Sequence, residues 1–144
     1  MKPNESRNRR QSGERKHPSI DPWKTVGDFT LGYMECALWS SHDYLADTDR
    51  FLDEDHCVGD FAPETVVEMV KDCDAFASRC SGLLEESGLA DWSAGADFWL
   101  ARSGHGVGFD DRGLGEVGRR LAVAARKFGQ HDLCVGEDGR IYAI

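Results

Sequence analysis

The sequence predicts an α+β domain: about three helices packed on a small antiparallel sheet of two hairpins, in the order α-α-β-β-α-β-β. Three observations carry that expectation. Val66, Val70, Cys73, Ala77, Cys80 and Leu84 repeat at spacings of four and three, the period of one helix face. Asp97 to Phe109 holds short aromatic-rich runs interrupted by Gly104 and Gly106, and Asp138-Gly139 separates two further apolar runs. Glycine at such points supplies the positive φ that a tight hairpin turn requires.

Residues 1–20 combine Asn, Ser, Arg and Lys without apolar periodicity, and too little surface can be buried there to offset the entropy of ordering. They are expected to form a disordered basic tail, with residues 21–144 as a single α+β domain. Thr25-Val26-Gly27-Asp28 fits a threonine N-cap with an acidic residue three positions on, and opens a first helix reaching about Ser40. Phe29, Tyr33, Cys36 and Ala37 share one face of it, widened by Leu31, Leu38 and Trp39. Ser41 to Asp60 has no period and many aspartates, which reads as a long acidic loop. Pro63 suits the first turn of the second helix. On that helix Cys73 and Cys80 lie about two turns apart, too far to bond. Asp97–Arg102 and Val107–Phe109 are expected as two strands joined through Ser103–Gly106. A third helix follows from Leu114 to Phe128, apolar at Val117, Leu121, Ala124, Ala125 and Phe128. Asp132–Val135 and Ile141–Ile144 close the chain as a hairpin.

With 40% hydrophobic and 30% charged residues in 144 positions, the chain has the composition of one globular domain. No apolar run approaches the roughly 20 residues of a membrane span, so no membrane contact is expected. The basic residues near Met1 have no apolar stretch behind them, which is not a secretory signal and leaves a cytosolic location as the expectation. Five cysteines without a CxxC pair are expected as reduced, mostly buried thiols. The net charge of −9 is unevenly spread: residues 1–17 hold six Lys or Arg against two Glu, and Asp43 to Asp74 holds eleven acidic residues against Arg50 and Lys71. The acidic excess therefore belongs to one segment, and the tail opposes it.

Gly113-Leu-Gly115-Glu-Val-Gly118 matches GxGxxG, but Asp110, Asp111 and Arg112 stand where a buried strand should precede it, and too little chain follows for a second nucleotide-binding half. Close helix packing is the better account of those glycines. Asp53, Asp55 and Glu64 occupy the first, third and twelfth places of a calcium loop, yet Val58 stands where that loop needs glycine. His56-Cys57 with His42 or Cys73 offers zinc-ligand types at no recognised spacing. No metal and no cofactor is expected. His105, Asp110 and Asp111 are the one cluster able to run acid and base chemistry, against the plainer reading that Asp111 and Arg112 cap the third helix. Glu64, Glu68 and Asp72 recur every four residues, a spacing at which like charges repel along a helix. Together with Asp47, Asp49, Asp53, Glu54, Asp55 and Asp60 they form a candidate partner-binding surface for a basic protein, whose carboxylates resemble nucleic-acid phosphates. In the tail, Lys2, Arg7, Arg9, Arg10, Arg15 and Lys16 are enough for weak, salt-sensitive, non-specific contact with nucleic acid.

DFWLARSGHGVGFDDRGLG at Asp97–Gly115 and KFGQHDLCVGEDGRIYAI at Lys127–Ile144 resemble a family of small proteins encoded by bacteriophages, plasmids and integrated elements. That family shares a DFWLxRxGHGxGFxDRGLG stretch and a closing DLYVGDDGxIY hairpin. The likeness extends upstream to Tyr33–Ser41 and to Ala62-Pro63-Glu64. Gly104, His105, Gly106, Asp111, Arg112 and Gly113 carry its loop motif. Asp110 stands where the family pattern has an aromatic residue, and Cys134 where it has tyrosine. The resemblance implies a mobile-element context and no particular activity. The leading expectation is a non-enzymatic acidic interaction protein that binds a basic host surface, with anti-defence action or DNA mimicry as forms of that role. The alternative is a small hydrolase or metal-dependent enzyme using His105, Asp110 and Asp111.

Overall fold

In the computed structural model, which describes residues 22–104 and 108–144, the chain is a helical assembly with one small hairpin. The described residues form five α-helices: α1 (Asp28–Ser40), α2 (Pro63–Arg79), α3 (Ser81–Ser87), α4 (Asp91–Arg102) and α5 (Glu116–Arg126). Strands β1 (Leu133–Val135) and β2 (Ile141–Ala143) pair antiparallel, with Cys134 opposite Tyr142. A 3-10 turn at Pro22–Thr25 precedes α1, whose N-cap is Gly27, while the Thr25 hydroxyl donates to the Pro22 carbonyl.

This architecture overturns the expected layering of three helices on two hairpins. Asp97–Arg102 is the last half of α4, and Phe109–Asp111 is a 3-10 turn. Val107 and the expected hairpin tip at His105 and Gly106 lie outside the described residues. The error has a physical cause. Ala94, Gly95, Ala96, Asp97, Phe98, Trp99, Ala101 and Arg102 are all buried, so α4 is enclosed nearly all round and shows neither a helical nor a strand period. Gly95, inside α4, adds no helical signal of its own, since glycine is among the weakest helix formers.

Gly95 is instead what lets α4 reach α1. Gly32 on α1 faces the Trp92 carbonyl and Gly95 faces the Phe29 carbonyl, each so near that a methyl group would overlap the opposing backbone. Residue 29 opposite 95 and 32 opposite 92 make this an antiparallel crossing. Around it lie the aromatic side chains of the core. Phe98 stacks on Phe76 at 4.2 Å between ring centroids, meets Phe128 edge-on at 5.1 Å and lies 5.2 Å from Tyr33. Pairs of this kind add about 0.5–1.5 kcal/mol beyond the area they bury.

The second helical stretch breaks at Cys80, where α2 ends and α3 begins, although Val66, Met69, Cys73, Phe76 and Cys80 keep one continuous buried stripe. The third expected helix is α5, amphipathic through Leu121, Ala122 and Ala125. The hairpin is fastened to the chain before α2: the Ala62 amide donates to the Ile141 carbonyl at 2.9 Å and the Tyr44 amide to the Leu133 carbonyl at 2.8 Å. Those bonds fix both ends of the acidic loop.

Candidate functional site

The residues of the DFWLxR and DRG stretches are mostly committed to holding the fold. Asp97 is buried, and its carboxylate accepts two hydrogen bonds from Arg112, at 2.8 Å from Nε and 3.1 Å from Nη2. That fork ties the middle of α4 to the end of the Phe109–Asp111 turn. Phe98 and Phe109 are core, and the Trp99 indole donates to Ser40 Oγ at 2.9 Å. Arg102 is buried with an ion-pair partner: it donates to the carbonyls of Phe128 (2.6 Å) and Gly129 (2.7 Å), to the Tyr33 hydroxyl (3.0 Å) and to Asp72 (2.8 Å). It thereby caps the C-terminal end of the α5 segment, where a cation suits the exposed carbonyls. Burial pushes the Tyr33 hydroxyl well above the usual tyrosine range, so it stays protonated beside the guanidinium.

The glycines of this stretch have backbone reasons. Gly104 ends α4 at a φ of 74°, and Gly108 adopts 98° pressed against the Asp97 carbonyl. Gly113 lies at 69° and Gly115, the N-cap of α5, at 61°, while Gly118 packs on the Phe109 carbonyl. The GxGxxG match is accounted for by these turns and this packing. Of the acid and base candidates, Asp110 is exposed 3.7 Å from Arg126 of α5, and Asp111 lines an open groove with Arg112. His105 lies outside the described residues, as does Gly106.

The acidic loop is ordered by its own local bonds. His42 and Phe51 form an isolated antiparallel bridge, and their rings lie 4.3 Å apart. Leu52–Glu54 and Val58–Asp60 make 3-10 turns. Asp43 accepts from the amides of Leu45 and Val135, tying the loop to β1. Asp55 receives a two-pronged bond from Arg50 at 2.9 Å for each contact, which holds its carboxyl below the usual range, and Glu54 lies 3.4 Å from the same guanidinium. Asp60 accepts from the Cys57 amide and contacts His56.

The nine acidic candidates therefore separate into two groups. Asp72, far from continuing a solvated row with Glu64 and Glu68, turns inward to Arg102, while Glu54, Asp55 and Asp60 serve local bonds. Asp47, Asp49, Asp53, Glu64 and Glu68 are exposed and make no hydrogen bond or ion pair with another described residue. Among them the loop also shows large apolar side chains to solvent: Tyr44 is 62% exposed, Leu45 71% and Phe51 41%, and Trp39 near the end of α1 is 45% exposed. Trp39, Phe51 and Leu100 line the groove of about 870 Å³ whose other walls include Asp97, Asp111 and Arg112. Apolar side chains in an aperiodic, aspartate-rich segment are a visible signal of such a surface, and Trp39, expected to widen the buried face of the first helix, is instead exposed.

Four of the five cysteines are buried and Cys57 is exposed. Burial pushes the Cys36 thiol up to about 12 and Cys73 higher still. Among the described residues no three His, Cys, Asp or Glu side chains are grouped so as to hold a metal ion, and no helix is long and apolar enough to cross a membrane. Comparison of the chain with models of known protein families, with curated proteins and with solved structures finds no match.

Proposed function

We propose that the chain is a non-enzymatic interaction domain of phage or plasmid origin that binds a basic protein surface through the loop Ser41–Asp60 and the exposed face of α2. The observation that carries the reading is the composition of that surface: exposed Tyr44, Leu45 and Phe51 set among Asp47, Asp49 and Asp53, with Glu64 and Glu68 beyond them. Aromatic anchors surrounded by polar residues are the anatomy of protein interfaces, in which a few buried rings supply most of the energy. Unpaired carboxylates around them select a cationic partner and speed its approach. A host defence or nucleic-acid-handling protein has the required basic surface.

The test is capture from a bacterial lysate by three forms of the full chain, with bound proteins quantified by mass spectrometry. One form is unaltered, one has Asp47, Asp49, Asp53, Glu64 and Glu68 changed to Asn or Gln, and one carries Tyr44→Ala with Phe51→Ala. A basic protein should be retained by the unaltered chain and reduced about tenfold or more by either variant, with melting temperatures preserved. Equal capture by the neutralised variant defeats the reading.

A further inference from the structure

The acidic segment has an opposite pole. Residues 112–127 hold Arg112, Arg119, Arg120, Arg126 and Lys127 against Glu116. All of these but Arg112 lie on α5 or at its C-cap, Lys127, which keeps helical dihedrals. Leu121, Ala122 and Ala125 turn one face of α5 to the core, and Arg119, Arg120, Val123, Arg126 and Lys127 are exposed on the other. At about 100° per residue, Arg119 and Arg126 fall in one column and Arg120 and Lys127 in a second, about a quarter-turn away. Val123, 46% exposed, stands midway between the columns. Each column spans two turns, about 10.5 Å. Arg79, whose guanidinium lies 5.3 Å from the Phe128 ring centroid, adds a further cation just past the C-terminal end.

Little on the chain answers these charges. Arg119 pairs with Glu116 beside it, and Arg126 lies 3.7 Å from Asp110, both contacts being open to water. Arg120 and Lys127 form no ion pair with another described residue. Their natural counterpart is an anion, and the make-up of the face separates the two macromolecules that carry one. A protein interface draws its energy from aromatic anchors of the kind that Tyr44 and Phe51 offer elsewhere on the chain. The outer face of α5 has no aromatic residue, only Val123. Interfaces with nucleic acid are more polar and far more positive, and arginine forks on phosphate oxygens set their register.

The major groove of DNA, about 12 Å wide, admits one α-helix between two phosphate rims. Two cation columns flanking a small apolar residue match that cross-section. We infer that the outer face of α5 is a docking surface for double-stranded DNA, independent of the acidic loop. Arg119 and Arg126 meet the phosphates of one rim, Arg120 and Lys127 those of the other, and Val123 faces the base edges. Contacts to phosphate read no sequence, so binding is general and salt-sensitive. Duplex RNA is disfavoured, because its major groove is too deep and narrow for protein side chains to read.

The experiment titrates the full chain into a fluorescent DNA duplex at several salt concentrations, beside an RNA duplex of the same sequence, and maps backbone amide shifts of the isotope-labelled chain. DNA should bind with a Kd on the order of 10⁻⁴ to 10⁻⁶ M, RNA more weakly, and DNA should move Arg120, Val123 and Lys127. Arg120→Gln with Lys127→Gln removes two exposed cations without an ion-pair partner, so this variant should fold. It should weaken binding about tenfold and lower the slope of log K against log salt by about 1.8. Arg9→Gln with Arg10→Gln removes the same net charge from the tail and should leave the α5 shifts in place. Equal binding by the Arg120 and Lys127 variant, or DNA-induced shifts that spare α5, overturns the surface. So does RNA binding as tight as that of DNA. Salt-sensitive self-association that the α5 variant abolishes, with no DNA binding, assigns the face to a second copy of the chain and overturns it too.

Discussion

Neutralising Asp72 should destabilise the fold, whereas neutralising Glu64 or Glu68 on the same helix should not. All three look alike in the sequence, but Asp72 accepts from Arg102 at 2.8 Å, and the Arg102 side chain is 1% exposed against 25% for Asp72. Removing one partner of a fully buried pair costs about 3–5 kcal/mol because a charge is left uncompensated. Two features reduce that figure here. Asp72 keeps some contact with water, and Arg102 retains the Tyr33 hydroxyl and the carbonyls of Phe128 and Gly129. Asn at position 72 still offers an oxygen, so Asp72→Asn isolates the charge, and the expected loss is about 2 kcal/mol. In urea, with a slope of about 1.5 kcal/mol per molar, the midpoint should fall by roughly 1.3 M. Glu64→Gln and Glu68→Gln should stay within about 0.5 kcal/mol of the unaltered chain. A midpoint for Asp72→Asn indistinguishable from that of Glu68→Gln would refute the assignment of Asp72 to the core ion pair.

Gly95→Ala should cost about 3 kcal/mol or more, read as a lower melting temperature or loss of near-ultraviolet circular dichroism, because its methyl meets the Phe29 backbone and not a movable side chain. Stability should fall as the pH drops below the ordinary imidazole value of about 6.5 towards the pKa of folded His131, which burial and the nearby Arg102 charge lower, since the unfolded chain takes up that proton first. His131→Gln should flatten this part of the stability–pH curve. A thiol reagent at mild alkaline pH should modify Cys57 in the native chain and reach the four buried cysteines only on unfolding, as mass spectrometry would show.

The elements legible in the sequence were those with one wet face. The α2 stripe, of which Val66, Cys73 and Cys80 are buried while Val70, Ala77 and Leu84 are half-buried beside Met69 and Phe76, the α5 stripe and the Asp138-Gly139 turn each present a local pattern that tertiary packing leaves intact. α4 was illegible because it is dry on nearly every side. Asp97 and Arg102 inside it gave no warning of helix burial, since their partners, Arg112 and Asp72, lie 15 and 30 residues away. For the candidate site, charge totals located the acidic segment but could not divide it. Asp55 and Asp72 differ from Asp53 and Glu68 only in which cation the fold brings to them.

The crossing of α1 and α4 has a consequence for heredity. At most packed positions an enlarged side chain can be forgiven by a smaller neighbour, so pairs of sites drift together. At Gly32 and Gly95 the neighbour is peptide backbone, identical whatever residue carries it. No second-site change at Trp92 or Phe29 can make room. Revertants of a Gly95→Ala strain should therefore restore glycine itself, or gain stability at unrelated positions, and compensation should never map to the facing residue.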